Sequence, residues 1–270
     1  MSENKKIAVL GQYSYSHIAG QKVFPNGDFL FCNKIENIYE AVSKGEAEFG
    51  VAPVENMLQG SVRESLYSLS STRLKIIHSY DLPIHHCLAS LSTNFKKVIS
   101  HPQALGQCSK FFSTDKKYNI EEVSSTSKAM EMASKNPEYA AIGSKEAAKF
   151  FNLNVIKENL EDNHDNVTRF IVISKQSTIQ NKTNLRTSLM IIPYKDKPGL
   201  LFNILKAFKD NNINLTKIES LPLGKKLGEY QFFMEIDGSE TDENVSNAIN
   251  EISKNNGVHS FGSYSLTLLN

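Results

Sequence analysis

The chain has 270 residues, more than a single core usually holds, so one large and one small domain are expected. Its 30 Lys and Arg against 29 Asp and Glu give a formal net charge of +1, with no one-sign block to track a phosphate backbone, which argues against a nucleic-acid partner. The opening MSENKKIAVLGQY carries an apolar run too short for a signal-peptide core, and no segment approaches the roughly 20 apolar residues of a membrane span. A soluble, cytoplasmic chain without a membrane partner is the expectation.

From residue 6 to about 175, short apolar strands alternate with amphipathic helices, the pattern of an α/β layer fold. KIAVLG (6–11) is the first strand. Ile35, Ile38, Tyr39 and Val42 recur at helical spacing, Gly45 ends that helix, and FGVAPV (49–54) is the next strand. Ser61 and Glu64 have the spacing of an S-x-x-E capping box, expected to open a helix with Val62, Leu66 and Leu69 on one face. KIIHSYDLPIHHCLASL (75–91) reads as two strands, or one long bent one, broken at Pro83. KKVIS (96–100) leads into HPQALGQCSKFF (101–112), where Pro102 suits a first helical turn and Leu105, Cys108 and Phe112 form a stripe. STSKAMEMA (125–133) and KEAAKFF (145–151) are further helices, with the strand YAAIGS (139–144) between them. Cys32, Cys87 and Cys108 lack CxxC spacing and read as small buried hydrophobes, not as a disulfide framework or a zinc site.

The polar, aperiodic KQSTIQNKTN (175–184) reads as a linker. Beyond it come a strand TSLMII, a turn DKPG, a helix LLFNILKAFKDN and a strand NLTKIESL. A hairpin around LGKKLG, a strand YQFFMEID, a helix over 241–255 and a last strand complete the order βαββαβ, a ferredoxin-like unit.

Polar residues recur just after strands or at helix starts: Glu55 and Asn56, Ser100, Thr126 and Ser127, and Ser144. Singly, each is most simply a cap or a strand-end residue. Together they imply an anion-friendly crevice at the edge where α/β sheets bind ligands. NVTRF (166–170) sits between the acidic loop NLEDNHD and the apolar run FIVIS, so Thr168 and Arg169 are either ordinary strand-end residues or part of that crevice.

GVAPVENMLQGSV (50–62), SHPQALGQC (100–108), STSKAM (125–130), NVTRFIVIS (166–174) and INLTKIESLP (213–222) occur in the order found in monofunctional prephenate dehydratases, which the chain resembles over nearly its whole length. The resemblance implies an α/β, two-lobed catalytic domain of the type II periplasmic-binding-protein-like fold over 1–178. Its lobes are about 1–80 plus 157–178, and 81–156, with crossings near Asp81 and Leu153. A ferredoxin-like βαββαβ ACT regulatory domain follows at 185–270. The implied activity is that of a carbon–oxygen lyase of L-phenylalanine biosynthesis: prephenate loses its ring carboxylate as carbon dioxide and its 4-hydroxyl as water, giving phenylpyruvate. Aromatisation drives the step, so no cofactor and no metal are implied, in keeping with the lack of a GxGxxG loop, P-loop or metal-ligand cluster.

The same resemblance assigns Thr168 to the leaving hydroxyl, Arg169 to a substrate carboxylate and Phe170 to the ring pocket. Glu55, Asn56, Ser100 and Gln107 line the site, and Thr126 and Ser127 offer further hydroxyls. Ser14, Tyr15 and Ser16 face substrate from GQYSYSH (11–17), a turn one residue shorter than the family's Gly-rich one, with Tyr13 near the place of its second glycine. Of the histidines, His101 lies within a site motif, His164 is close to Thr168, His17 is in the first turn, and His85 and His86 read as structural strand residues. Phenylalanine is the implied effector, bound between paired ACT domains of a homodimer or homotetramer by Pro198, Gly199, Leu200, Leu201, Asn212, Asn214, Leu215, Glu219 and Ser220. Leu221 stands where the family usually has an arginine. Arogenate, with an amine for the side-chain ketone of prephenate, is the alternative substrate, since LPIHHCL and VISHPQ also resemble arogenate dehydratases. A small-acid sensor with an ACT domain is the non-enzymatic alternative.

Overall fold

The computed structural model describes residues 5–114, 118–177, 184–224 and 228–269. The first lobe opens with β1 (Lys6–Leu10), α1 (Tyr15–Val23), β2 (Asp28–Cys32), α2 (Ile35–Lys44) and β3 (Phe49–Asn56), and continues with β4 (Gly60–Ser61), α3 (Arg63–Ser71) and β5 (Lys75–Pro83). Helix α2 buries Ile38, Tyr39, Ala41 and Val42, and Gly45 closes it in the left-handed region at φ 83°, which suits a residue without Cβ. The capping box does not form. Ser61 pairs with Glu55 in the short β3–β4 ladder, so the helix starts one residue later with Val62 as its N-cap, and no side chain caps it.

The chain crosses to the second lobe at 84–86 and builds β6 (Cys87–Ser90), β7 (Lys97–Ser100), α4 (Pro102–Gln107), α5 (Ser109–Thr114) and β8 (Asn119–Glu122). Then come α6 (Thr126–Ala133), β9 (Tyr139–Gly143), α7 (Lys145–Phe150) and β10 (Asn154–Lys157). The long stretch at 75–91 is thus two strands, interrupted after Pro83. Pro102 takes the first turn of α4, whereas the expected single helix breaks at Cys108 into α4 and α5, with Leu105 and Cys108 still buried. The five-stranded sheet of this lobe has the order β10-β6-β9-β7-β8.

Residues 158–166 lead back to β11 (Val167–Ser174), which enters the first sheet antiparallel to both neighbours, between β3 and β5. The crossings fall beyond Asp81 and Leu153. Asp81 is still paired with Arg169 inside the first sheet, and β10 after Leu153 still pairs with β6.

The C-terminal unit runs β12 (Arg186–Pro193), α8 (Leu200–Asp210), β13 (Leu215–Pro222), β14 (Tyr230–Asp237), α9 (Glu243–Ser253) and β15 (Asn256–Tyr264), the expected βαββαβ order. Its antiparallel sheet is ordered β13-β14-β12-β15. Leu189, Ile191, Met234 and Ile236 face α8 and α9, while Met190, Leu221, Phe233, Phe261 and Tyr264 join one apolar cluster with Ile38, Leu66, Leu69 and Ile76 of the first lobe. The ferredoxin-like sheet therefore covers the first lobe with the face its helices leave open. A last strand, β16 (Leu266–Leu268), leaves this unit and pairs parallel with β5 at the edge of the first sheet, so 185–270 is not self-contained. The linker expected at 175–184 and the hairpin at 223–228 lie in part outside the described residues.

Gly50 shows how closely these layers meet. A Cβ there would stand 2.7 Å from Ile38 Cγ2 and 2.9 Å from Ile173 Cγ1, closer than carbon atoms pack. Gly50→Ala is expected to destabilise the protein by about 1–3 kcal/mol through overpacking, read as a lower denaturant midpoint. An unchanged midpoint contradicts this packing.

Candidate active site

A cleft of about 560 Å³ lies between the lobes, a size suited to a small organic ligand. Five of the described helices begin at its wall. Ser14, Tyr15 and Ser16 line it from the start of α1, Ile35 from α2, Val62 and Glu64 from α3, His101 and Gln103 from α4, and Ser124, Ser125 and Thr126 from α6. The caps are side chains at three of the five: Ser14 accepts from the His17 N–H, His101 from the Gln103 N–H and Ser125 from the Lys128 N–H. Among the described residues, no lysine or arginine lines the cleft. The donors its wall offers are helix N-termini and side chains other than lysine or arginine, and Glu64 adds a carboxylate. No group of described His, Cys, Asp or Glu side chains could hold a metal ion, and no described helix is long and apolar enough to cross a membrane.

Asn56 and Thr168 face each other in the β3–β11 ladder. Asn56 is buried and uses both ends of its amide: Oδ1 accepts from the N–H of Leu58 and of Gln59 at 3.1 and 3.2 Å, which fixes which end is oxygen. Nδ2 donates to Asn166 Oδ1 and to Thr168 Oγ1, both at 2.9 Å. Thr168 Oγ1 accepts here, so its own hydroxyl proton is free to donate to a ligand in the cleft. Phe170, on the same face of β11, is 2% exposed and closes the apolar end with Ile84 and Leu10.

Arg169 lies on the opposite face of the strand and does not line the cleft. Its Nε and Nη2 donate to Asp81 Oδ1 and Oδ2 at 2.7 and 3.0 Å, and Nη1 stands 3.6 Å from Glu55 and 3.8 Å from Glu235 of the C-terminal unit. Burial works against its charge, but the hydrogen bond and charge of Asp81, with Glu235 and Glu55, outweigh it and hold the guanidinium protonated. Glu55 likewise turns away from the cleft, 2.5 Å from Lys217 Nζ. Ser100 is fully buried and donates to the Ile142 carbonyl at 2.6 Å, and Ser127 contacts Ser125 outside the lining. Arg169, Glu55, Ser100 and Ser127, expected at the substrate site, are therefore not among the residues lining this cleft. The reason is the same for each strand residue: in an extended chain, adjacent positions face opposite ways.

Thr126 and Gln107 do line the cleft. Ser16, although at the wall, is committed to the backbone, accepting from the Leu10 N–H and donating to the Val51 carbonyl. Tyr13 adopts φ 59°, in the left-handed region, and its ring stacks on Phe150 of the second lobe at 4.0 Å. His17 is buried and accepts from the Tyr13 N–H, away from the cleft. His85 and His164 both meet Glu161 Oε1, while Oε2 accepts from the His86 N–H. Burial alone raises the Glu161 carboxyl, and these hydrogen bonds, led by the His86 N–H, bring it below the usual range. His86, expected to be structural, lines the cleft together with Ser124, Ser125, Gln103 and Gln59, none of them foreseen as site residues. The one sequence signal for His86 was its place just after the Pro83 break, where the chain changes lobes.

A family model for prephenate dehydratase matches residues 7–178, and one for the ACT domain matches residues 191–254. The chain belongs to the prephenate dehydratase family. It is 38% identical over 243 residues to the prephenate dehydratase of Methanocaldococcus jannaschii, covering 87% of this chain and 88% of that one. It is 33% identical over 256 residues to arogenate dehydratase/prephenate dehydratase 2, chloroplastic, of Arabidopsis thaliana, covering 88% and 66% respectively. The structure superimposes on that of a prephenate dehydratase from Arthrobacter aurescens in complex with L-Phe with a TM-score of 0.88, at 29% identity, covering 96% of this chain and 90% of the other.

In the ACT domain, Gly199 takes φ 80° at the N-cap of α8, and Leu200, Leu201 and Leu215 pack on the cluster beneath the two helices. Asn212 has φ 53°, and Asn214 donates to Asp237. Glu219, expected in the effector set, is engaged at the domain border. It faces the catalytic domain, accepting from Ser61 Oγ at 3.1 Å and from Arg63 Nη2 at 3.0 Å, whereas Ser220, on the other face of β13, is exposed. Leu221 is fully buried in the seam between the domains.

Burial pushes the imidazoles of His17, His86 and His259 below their ordinary value of 6.5. In the window below that value the unfolded chain binds more protons than the folded one, so this stability is present at higher pH and is lost as pH falls. The melting temperature is therefore expected to drop between about pH 7 and 5.5, before carboxylates titrate. A flat melting temperature across that window contradicts the neutral burial of these residues.

Proposed function

We propose that the cleft binds prephenate and converts it to phenylpyruvate, carbon dioxide and water, taking up one proton. The observation that carries this reading is the Asn56–Thr168 hydrogen bond, in which Thr168 Oγ1 accepts, so that its own hydroxyl can donate to a ligand in the cleft. Thr168 donates to the departing 4-hydroxyl as the ring carboxylate is lost and its electron pair enters the ring. A threonine is a weak acid, so the acceleration comes from fixed donors and orientation in a confined cleft. Among the described residues no lysine or arginine lines the wall, which fits a decarboxylation: a guanidinium clamped on the ring carboxylate would stabilise the ground state and oppose its departure as a neutral gas. The helix N-termini hold the dianion more diffusely, and Phe170 with Ile84 gives the ring an apolar seat. Arogenate is the second reading, favoured by the likeness to the Arabidopsis relative.

The reading extends to L-phenylalanine as effector at paired ACT domains, supported by the L-Phe complex of the Arthrobacter relative. The exposed Ile192, Tyr194, Phe202, Ile218 and Tyr230 supply apolar surface for a homodimer or homotetramer. Three free, buried cysteines accord with a cytoplasmic setting.

Purified protein given prephenate or arogenate is expected to release phenylpyruvate or phenylalanine, and absence of both products removes the enzymatic reading in favour of a sensor. Thr168→Ala is expected to lower kcat by about 10²–10⁴-fold with a much smaller change in KM, the signature of a contact made chiefly in the transition state. Equal turnover in the variant removes Thr168 from the reaction. Calorimetry with L-phenylalanine is expected to show binding at or below about 1 mM, that is a free energy of about −4 kcal/mol or better. No heat at that concentration leaves the ACT surface with a role in assembly alone.

A further inference from the structure

Gln107, at the end of α4, has its Oε1 2.9 Å from His86 Nε2, and its Nε2 is buried without a partner at the cleft wall. The other ring nitrogen of His86, Nδ1, stands 3.0 Å from the hydroxyl of Tyr15, which comes from α1 in the first lobe. His86 itself is 3% exposed, its backbone N–H is held by Glu161 at 2.8 Å, and it sits where the chain passes between lobes. One imidazole thus joins a helix of the first lobe to a helix of the second.

Burial keeps this ring neutral, so it carries one N–H and one lone pair. Two arrangements satisfy that count. In the first, Nδ1 at 3.0 Å accepts from the Tyr15 hydroxyl, whose single proton it shares with the His85 carbonyl 2.7 Å away, Nε2–H donates to the Gln107 carbonyl, and the Gln107 amide NH2 faces the cleft. In the second, Nδ1–H donates to Tyr15, whose proton goes to the His85 carbonyl 2.7 Å away, and the Gln107 amide turns its NH2 to His86 and its carbonyl to the cleft. A carbonyl oxygen facing an anionic ligand is repelled, and no lysine or arginine at this wall offsets it. The first arrangement is the one an anion-binding cleft selects.

We propose that His86 is a positioning residue: as its Nε2–H tautomer, set by Tyr15, it locks the Gln107 amide with the NH2 group toward the cleft, where it donates to an oxygen of the anionic substrate. The identity of the substrate rests on the prephenate reading above, but the orientation of the amide does not. Gln107 touches substrate, and His86 acts through it.

The deciding measurement is ¹⁵N NMR of the imidazole nitrogens in the uniformly labelled full chain at about pH 7.5, above the ordinary histidine range, with the His86 signals assigned by their loss in His86→Gln. Neutral His86 protonated at Nε2 is expected, whereas the Nδ1–H tautomer or a doubly protonated ring overturns the proposal. Kinetics on prephenate give an independent check. His86→Leu is expected to lower kcat/KM by about 10- to 100-fold, the loss typical of one misplaced buried donor. His86→Gln, whose amide can accept from Tyr15 and donate to Gln107, is expected to recover to within about fivefold of wild type. The His86→Leu, Gln107→Leu pair is expected to be no worse than Gln107→Leu alone. Additive losses in the pair, or no rescue by glutamine, overturn the proposal. Should the wild-type protein turn over neither prephenate nor arogenate, the functional reading falls while the NMR result still decides the orientation of Gln107.

Discussion

The position of β11 between β3 and β5 governs what the rest of the molecule can do. Its two-residue period sends Thr168, Phe170 and Val172 to one face and Arg169, Ile171 and Ile173 to the other. A slip of one residue would exchange the hydroxyl and the guanidinium. Two cross-strand contacts oppose such a slip. Asn56 holds Thr168 from one side, and Asp81 holds Arg169 in a two-pronged ion pair from the other. Because Arg169 is also close to Glu55 and Glu235, its charge is compensated only in this register.

The same alternation makes these strands two-sided. On β3, Asn56 faces the cleft while Glu55 reaches Lys217 of the ACT domain. On β4, Ser61 lines the cleft and donates to Glu219. On β14, the buried Glu235 gathers Arg186, Thr216 and the Tyr264 hydroxyl. The polar border between the domains is thus built from immediate chain neighbours of the cleft residues, and β16 adds a second mechanical tie by extending the catalytic sheet with the end of the chain. β13 and β14 thus contact the strands that carry Asn56 and Thr168, through Lys217 and Glu55 and through Glu235 and Arg169.

Element order was legible because it is written in periodicity and punctuation: Gly45, Pro102 and the caps at Ser125 and Ser144 all stand where the helices end or begin. The capping box at Ser61 misled because a local propensity lost to a tertiary pairing with Glu55. Motif likeness picked out the segments that form the cleft but not which face of each strand lines it. Arg169 and Glu55, expected as substrate contacts, stand next to Thr168 and Asn56, which line the cleft from the opposite face. Ser100 likewise stands next to His101, which lines it. His86 escaped notice because nothing local distinguishes a histidine in a strand from one at a crossing between lobes. Only the fold brings Tyr15 and Gln107 to its two nitrogens. Tyr13 could be placed only with its φ angle in hand, and β16 follows no pattern distinguishing it from the end of β15.

The account turns on one division of labour: Thr168 serves the ligand and Arg169 serves the domain border. The most direct measurement is a crystal structure of the full chain with phenylpyruvate bound. The account predicts the ligand in the cleft within hydrogen-bonding distance of Thr168, with Arg169 still paired to Asp81. A ligand carboxylate held by Arg169, with the Asp81 pair broken, would contradict it.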